Sequence, residues 1–149
     1  MSDNWIQFIP ADPNYQPSIP AAEAAKELLA SFVPDADEVV FKFTETVEFI
    51  HPGGNWSGVK CPACGADAES WWKDAMDTAY KTRFSNLQVT AACCGARVSL
   101  NELDYLWPVG FAKFVLEAMN PNVKDISPDQ KQELSKCLGF DLRRIWAHI

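Results

Sequence analysis

The sequence predicts an α+β domain, an antiparallel sheet with helices on one face, that also carries a small cysteine-ligated module. Three observations predict it. Apolar and polar residues alternate with a period of two over residues 39–50 and again from Leu142 onward. Elsewhere apolar residues recur at the helical period between capping and terminating residues, as in 18–34 and 127–139. Two cysteine clusters, each closing on Cys-Gly, lie between these regions. A chain of 149 residues suits one domain over 1–149 and can bury roughly 70% of its unfolded surface.

Residues 1–19 suggest an extended arm. Trp5-Ile6-Gln7-Phe8-Ile9 is short and apolar, an edge strand or a docked segment, and Pro10, Pro13 and Pro17 then favour turns and extended backbone. Ser18-Ile19-Pro20 opens a helix over 20–33, an addition to the main fold, with Ala25, Leu28, Leu29 and Phe32 on one face and Pro34 as its stop. Val39, Phe41, Phe43, Val47 and Phe49 share one strand face, interrupted at Glu45. The run is long for one strand, which predicts a bend or bulge there. His51-Pro52-Gly53-Gly54-Asn55 is turn chemistry.

Trp72, Ala75, Met76 and Ala79 keep helical spacing and place a helix over 69–81. Leu87, Val89 and Ala91, then Arg97-Val98-Ser99-Leu100, predict two short strands joined by a tight cysteine-bearing turn. Asn101 can cap a helical turn through Tyr105. Pro108 then stands where it could open a helix with Phe111, Phe114, Val115, Ala118 and Met119 as its apolar stripe. Ser127-Pro128-Asp129-Gln130 has capping-box form. Leu134, Cys137 and Leu138 supply that helix's buried face, and Gly139 suits a left-handed terminator. Ile145, Ala147 and Ile149 alternate with Arg144, Trp146 and His148 in a terminal strand. This element order fits a split β-α-β arrangement of the ferredoxin-like kind best.

Charge narrows the partners. Lys and Arg number 13 against 20 Asp and Glu, a formal net charge of −7. Nucleic-acid binders must neutralise phosphates, and the densest basic spots here are Lys81 with Arg83 and the pair Arg143-Arg144, so nucleic acid is disfavoured. An acidic surface suits a basic protein partner, or solubility alone. No apolar run approaches the roughly 20 residues of a membrane helix, and Met1-Ser2-Asp3-Asn4 lacks the basic start of a secretion signal. The expectation is a cytoplasmic chain.

Five cysteines without a secretion signal make a disulfide framework a poor explanation. Cys61-Pro62-Ala63-Cys64-Gly65 has the form of a metal knuckle, two thiolates a turn apart with a glycine that lets the backbone curl toward sulfur. Cys93-Cys94-Gly95 is a degenerate second half. Ala91 stands where a regular knuckle has its first cysteine, and Cys93 is left to supply the fourth thiolate. Cys61, Cys64, Cys93 and Cys94 thus predict a structural Zn2+ site within a knuckle-bearing region over 56–100, a closed four-thiolate tetrahedron. Adjacent cysteines must splay to reach one ion, so His51 is the alternative fourth ligand, and iron suits four cysteines as well. Cys137, on the apolar face of a helix, suits an inert core thiol.

Catalytic patterns are scarce. A zinc deaminase wants His-x-Glu ahead of Pro-Cys-x-x-Cys; here Pro52-Gly53 follow His51 and Lys60 precedes Cys61, so both ends of the pattern fail. Two histidines in all leave little material for a Ser-His-Asp arrangement, and Gly53-Gly54 is an isolated pair rather than a phosphate loop. Six tryptophans are many for this length. Trp56, Trp71, Trp72 and Trp107 flank the cysteines, either sealing the metal module against the sheet or standing exposed as partner anchors.

Gly53-Gly54-Asn55-Trp56, the knuckle at 61–65, Cys93-Cys94-Gly95, Ser99-Leu100-Asn101-Glu102-Leu103-Asp104-Tyr105 and Trp107-Pro108-Val109-Gly110-Phe111-Ala112 together resemble a family of bacterial zinc-ribbon-bearing proteins. The likeness runs from Trp5-Ile6-Gln7-Phe8 to Ile145-Trp146-Ala147-His148. It implies a bacterial, cytoplasmic, zinc-bearing domain and carries no activity with it. The expected function is therefore non-enzymatic: a zinc-stabilised domain that binds a protein, of which a small acidic immunity- or antitoxin-like inhibitor is one version by analogy. The rival is an enzyme or small-molecule binder with a pocket between sheet and helices and Tyr105, Asp104 or Glu48 as polar contacts.

Overall fold

A computed structural model describes residues 2–149. In chain order its elements are β1 (Asn4–Pro10), α1 (Ile19–Phe32), β2 (Glu38–Ile50), β3 (Val59–Lys60), α2 (Glu69–Tyr80), β4 (Gln88–Thr90), β5 (Arg97–Ser99), a 3-10 turn (Leu100–Glu102), β6 (Asp104–Tyr105), β7 (Gly110–Met119), α3 (Pro128–Leu138) and β8 (Leu142–His148). Four strands form the main sheet in the order β2-β7-β1-β8, antiparallel throughout. The expected α+β antiparallel sheet is present. The chain passes through α1 from β1 to β2 and through α3 from β7 to β8, and each passage skips one strand.

Both helices lie on one face. Ile6 and Phe8 of β1 and Phe114, Leu116 and Ala118 of β7 pack against Ala22, Ala25 and Leu29 of α1 and Leu134 and Leu138 of α3. Each large side chain buried here stabilises the fold by about 1.5–3 kcal/mol. The helix ends follow the sequence closely. Ser18 caps α1 by accepting from the Ala21 N–H. Ser127 Oγ accepts from the Gln130 N–H at 3.1 Å while Gln130 Oε1 accepts from the Ser127 N–H at 2.9 Å, and Gly139 closes α3 at φ +93.

Three expectations need correction. The N-terminal segment is neither an edge nor an arm: β1 sits between β7 and β8, and Ile6–Pro10 are buried throughout. Accordingly α1 is no addition but one of the two crossovers that build the sheet. Residues 110–119 form a strand instead of a helix. β7 pairs with both β1 and β2 and buries nearly every side chain, so its two charged residues, Lys113 and Glu117, are too few to reveal a period of two, while Phe111, Phe114, Val115 and Ala118 fall at helical spacing by coincidence. More locally, the turn after β5 is capped by Ser99 and ends at Glu102, three residues before the expected Tyr105, and Asp104–Tyr105 pairs with β3.

The bulge expected near Glu45 is present and consequential. Phe43 pairs with Phe114 but Glu48 pairs with Ala112, so Thr44–Val47 face Lys113 alone and the register slips by three residues. An odd slip turns the strand over. Val39 and Phe41 therefore pack toward the helices, whereas Val47 and Phe49 join a second core with Phe111, Trp71, Leu100 and Leu103. That second core belongs to the segment inserted between β2 and β7. Its first turn is tied to β8: the His148 N–H donates to Pro52 O at 3.1 Å, the Gly54 N–H to His148 O at 2.8 Å, and the Asn55 Nδ2–H to Trp146 O at 3.1 Å. The Trp107 indole N–H donates to the same Trp146 oxygen at 2.7 Å. No helix among the described residues is long and apolar enough to cross a membrane.

Candidate metal centre

The inserted segment holds two tight hairpins of the same build. In the first, the Cys61 N–H donates to Ala66 O at 2.8 Å and the Gly65 N–H to Cys61 O at 2.8 Å, with Gly65 at φ +77. In the second, the Ala91 N–H donates to Ala96 O at 2.8 Å and the Gly95 N–H to Ala91 O at 2.7 Å, with Gly95 at φ +75. Such positive φ angles suit glycine, which has no Cβ to collide with the carbonyl. The hydrogen bonds make Ala91 the counterpart of Cys61, Cys94 that of Cys64, and Cys93 that of Ala63. Cys61 and Ala91 are both buried; Cys64, Cys93 and Cys94 are exposed.

All four sulfurs converge. Cys61 Sγ lies 3.8 Å from Cys94 Sγ and Cys64 Sγ lies 3.4 Å from Cys93 Sγ, and the four are within 4.8 Å of one another. An ion with metal–sulfur bonds of about 2.3 Å holds the corners of its tetrahedron about 3.8 Å apart, so the four can hold a metal ion with adjustments of up to about 1 Å. The turn at 92–95 lifts Cys93 and Cys94 out of the extended conformation and lets neighbouring side chains reach one point. His51 is outside the group. Its Nδ1 accepts from the Gly53 N–H at 2.8 Å and its ring stands edge-on to Phe49, so it serves the turn after β2. Cys137, half-buried on α3, is also apart, with its thiol near Ala21 O.

The local field distinguishes the sulfurs. The Cys64 backbone N–H favours the Cys61 thiolate most, and despite burial the thiol's pKa is lowered to about 7. The Cys93 thiol is pushed up to about 12, first by desolvation and then by the Cys64 and Cys61 sulfurs crowded against it. At Cys94 the Ala96 N–H favours the thiolate, but burial and the Cys61 and Cys64 sulfurs outweigh it and the pKa is raised. Without a counter-ion, four sulfurs this close resist joint ionisation; a divalent cation removes that conflict.

Aromatic side chains fix the module. Trp72 packs between Trp56, tilted at 4.8 Å between ring centres, and Phe49, edge-on at 5.8 Å. Its indole N–H donates to Tyr105 Oη at 3.1 Å, and the Tyr105 hydroxyl donates to Leu100 O at 2.7 Å. Burial raises the Tyr105 pKa to about 12, keeping the phenol neutral. Trp71 is buried in the core of the inserted segment, with Trp56 and Trp72 packed half-buried against it, and Trp107 is half-buried beside β8.

The polar groups considered for a pocket do not converge. Tyr105 and Asp104 line a cleft of about 730 Å³ beside the start of α3, whereas Glu48 lines a separate one of about 500 Å³ with Met76 and Phe84. The larger cleft contains a cluster that sequence reasoning missed. Arg143 Nη1–H donates to Asn101 O, Asn101 Oδ1 and Val109 O at 3.0–3.1 Å, and Asn101 is 5% exposed. No motif marks a pair so distant in sequence. Compared with protein-family models, curated proteins and solved structures, the chain matches none.

Proposed function

We propose that this chain is a zinc-stabilised, non-enzymatic binding domain in which a zinc-ribbon-like insertion interrupts a ferredoxin-like sheet. One observation carries the reading: the four converging ligands are all cysteines, with no histidine or carboxylate in the group. Four thiolates saturate a tetrahedral ion, leaving no position for a substrate or an activated water, which is the pattern of a structural site. Zinc suits it through ligand softness and geometry, with iron as the competing metal. The expected ligands are Cys61, Cys64, Cys93 and Cys94.

The larger cleft supports this reading by how its polar groups are engaged. Arg143 is occupied by Asn101, Val109 and, at 3.6 Å, Glu102, and Tyr105 by Trp72 and Leu100, so neither is free to act on a substrate. The net charge of −7 favours a basic protein as partner over nucleic acid. A bacterial, cytoplasmic setting follows from the sequence resemblance. Elemental analysis of the purified protein is expected to find about one zinc per chain, the stoichiometry of a single closed site. Mass spectrometry of material retained by the tagged chain should then identify a basic protein lost under high salt. A fully folded, metal-free chain refutes the proposal.

A further inference from the structure

The two hairpins share the same two closing backbone hydrogen bonds, yet their thiols are placed differently. In the first, Cys61 occupies the buried position. In the second, the buried position is Ala91, and the missing thiol is supplied by Cys93 from the exposed tip of the turn. An exposed sulfur is open to dissolved oxidants, whereas one packed in the core is shielded from them. Cys64 Sγ, exposed as well, lies 3.4 Å from Cys93 Sγ.

We propose that Cys93 is a modification site for hydroperoxides, with Cys64 as the resolving thiol. The Cys93 thiolate attacks one oxygen of hydrogen peroxide; the S–O bond forms, the O–O bond breaks and hydroxide leaves. Cys64 thiolate then attacks the Cys93 sulfur; the S–S bond forms, the S–O bond breaks and a second hydroxide leaves. Each sulfur gives up one electron, and one peroxide is reduced to two hydroxides. Cys61 and Cys94 alone cannot close a tetrahedron, so oxidation releases the metal and frees the hairpins that it joins. This inference rests on the metal-binding role proposed above.

The test starts from chain loaded with one equivalent of zinc and treated with hydrogen peroxide. Metal release is followed with a colorimetric chelator, and cysteine pairing by peptide mass spectrometry after alkylation. Release is expected to track a Cys64–Cys93 bridge, with Cys137 still alkylated and a thiol reductant restoring zinc uptake. Ala91→Cys combined with Cys93→Ala moves the thiol to the buried counterpart of Cys61 and should slow release roughly tenfold. Should that variant fail to fold, the pairing in the natural chain still decides. A first bridge between Cys61 and Cys94, or zinc retained in excess peroxide, overturns the inference. Zinc that binds but ignores peroxide refutes this inference alone; a chain that takes up no zinc refutes the proposed function with it.

Discussion

Gly53→Ala tests how the metal module is attached to the sheet. Gly53 sits at φ +62, and a Cβ there would stand 2.2 Å from His148 O and 2.9 Å from both the His148 carbonyl carbon and Ile149 Cγ1. The left-handed conformation costs an alanine roughly 1–2 kcal/mol. The clash is with backbone, so the turn must move off β8. It then weakens the bonds from the His148 N–H to Pro52 O, the Gly54 N–H to His148 O and the Asn55 amide to Trp146 O. At about 1 kcal/mol each, these bring the expected destabilisation to roughly 3–5 kcal/mol. For a chain of this size that lowers Tm by roughly 10 °C. Urea denaturation followed by circular dichroism measures it, with Gly139→Ala as the control: φ is +93 there, but no atom lies within 4 Å of an added Cβ, so only the roughly 1–2 kcal/mol of the left-handed backbone is expected. Equal losses in the two variants would show that the contact with β8 contributes nothing.

Cys61→Ser should destabilise the metal-loaded chain by several kcal/mol, because it removes a buried ligand together with its share of the binding free energy, while Cys137→Ser should cost under about 1 kcal/mol; thermal melts compare them. Cys93→Ala should sharply weaken zinc affinity and His51→Ala should leave it nearly unchanged, as read by competition with a chelator. Acid should strip the metal. At pH 7 unfolded thiols hold their protons and metal-bound thiolates do not, so the unfolded state binds more protons and stability at fixed free zinc falls as pH falls. Each thiolate that takes up a proton adds roughly 1.4 kcal/mol per pH unit to that slope, and a pH-independent zinc occupancy between neutral and mildly acid conditions would contradict the all-thiolate site.

Local chemistry was legible in the sequence wherever neighbours along the chain decide it. Ser127 and Gln130 form their capping box and Gly139 its left-handed terminator because each interaction spans a few residues. The Cys61–Gly65 knuckle and its degenerate partner could be read because a tight hairpin dictates where its cysteines and glycine fall. Tertiary pairing decided the rest. Residues 110–119 are buried nearly throughout and show no clear period, and they become a strand only because β1 and β2 supply hydrogen-bond partners on both edges. Val39 and Val47 fall in one sequence alternation yet serve cores on opposite faces, since a three-residue slip against β7 turns β2 over. Arg143 finds Asn101 across a fold that no local pattern announces. The sequence alone determined which residues could make a turn, a cap or a thiolate pair; which strand lies inside the sheet, and which face each side chain buries, was decided by long-range hydrogen bonding and packing, because a strand's edges and faces exist only once its neighbours are in place.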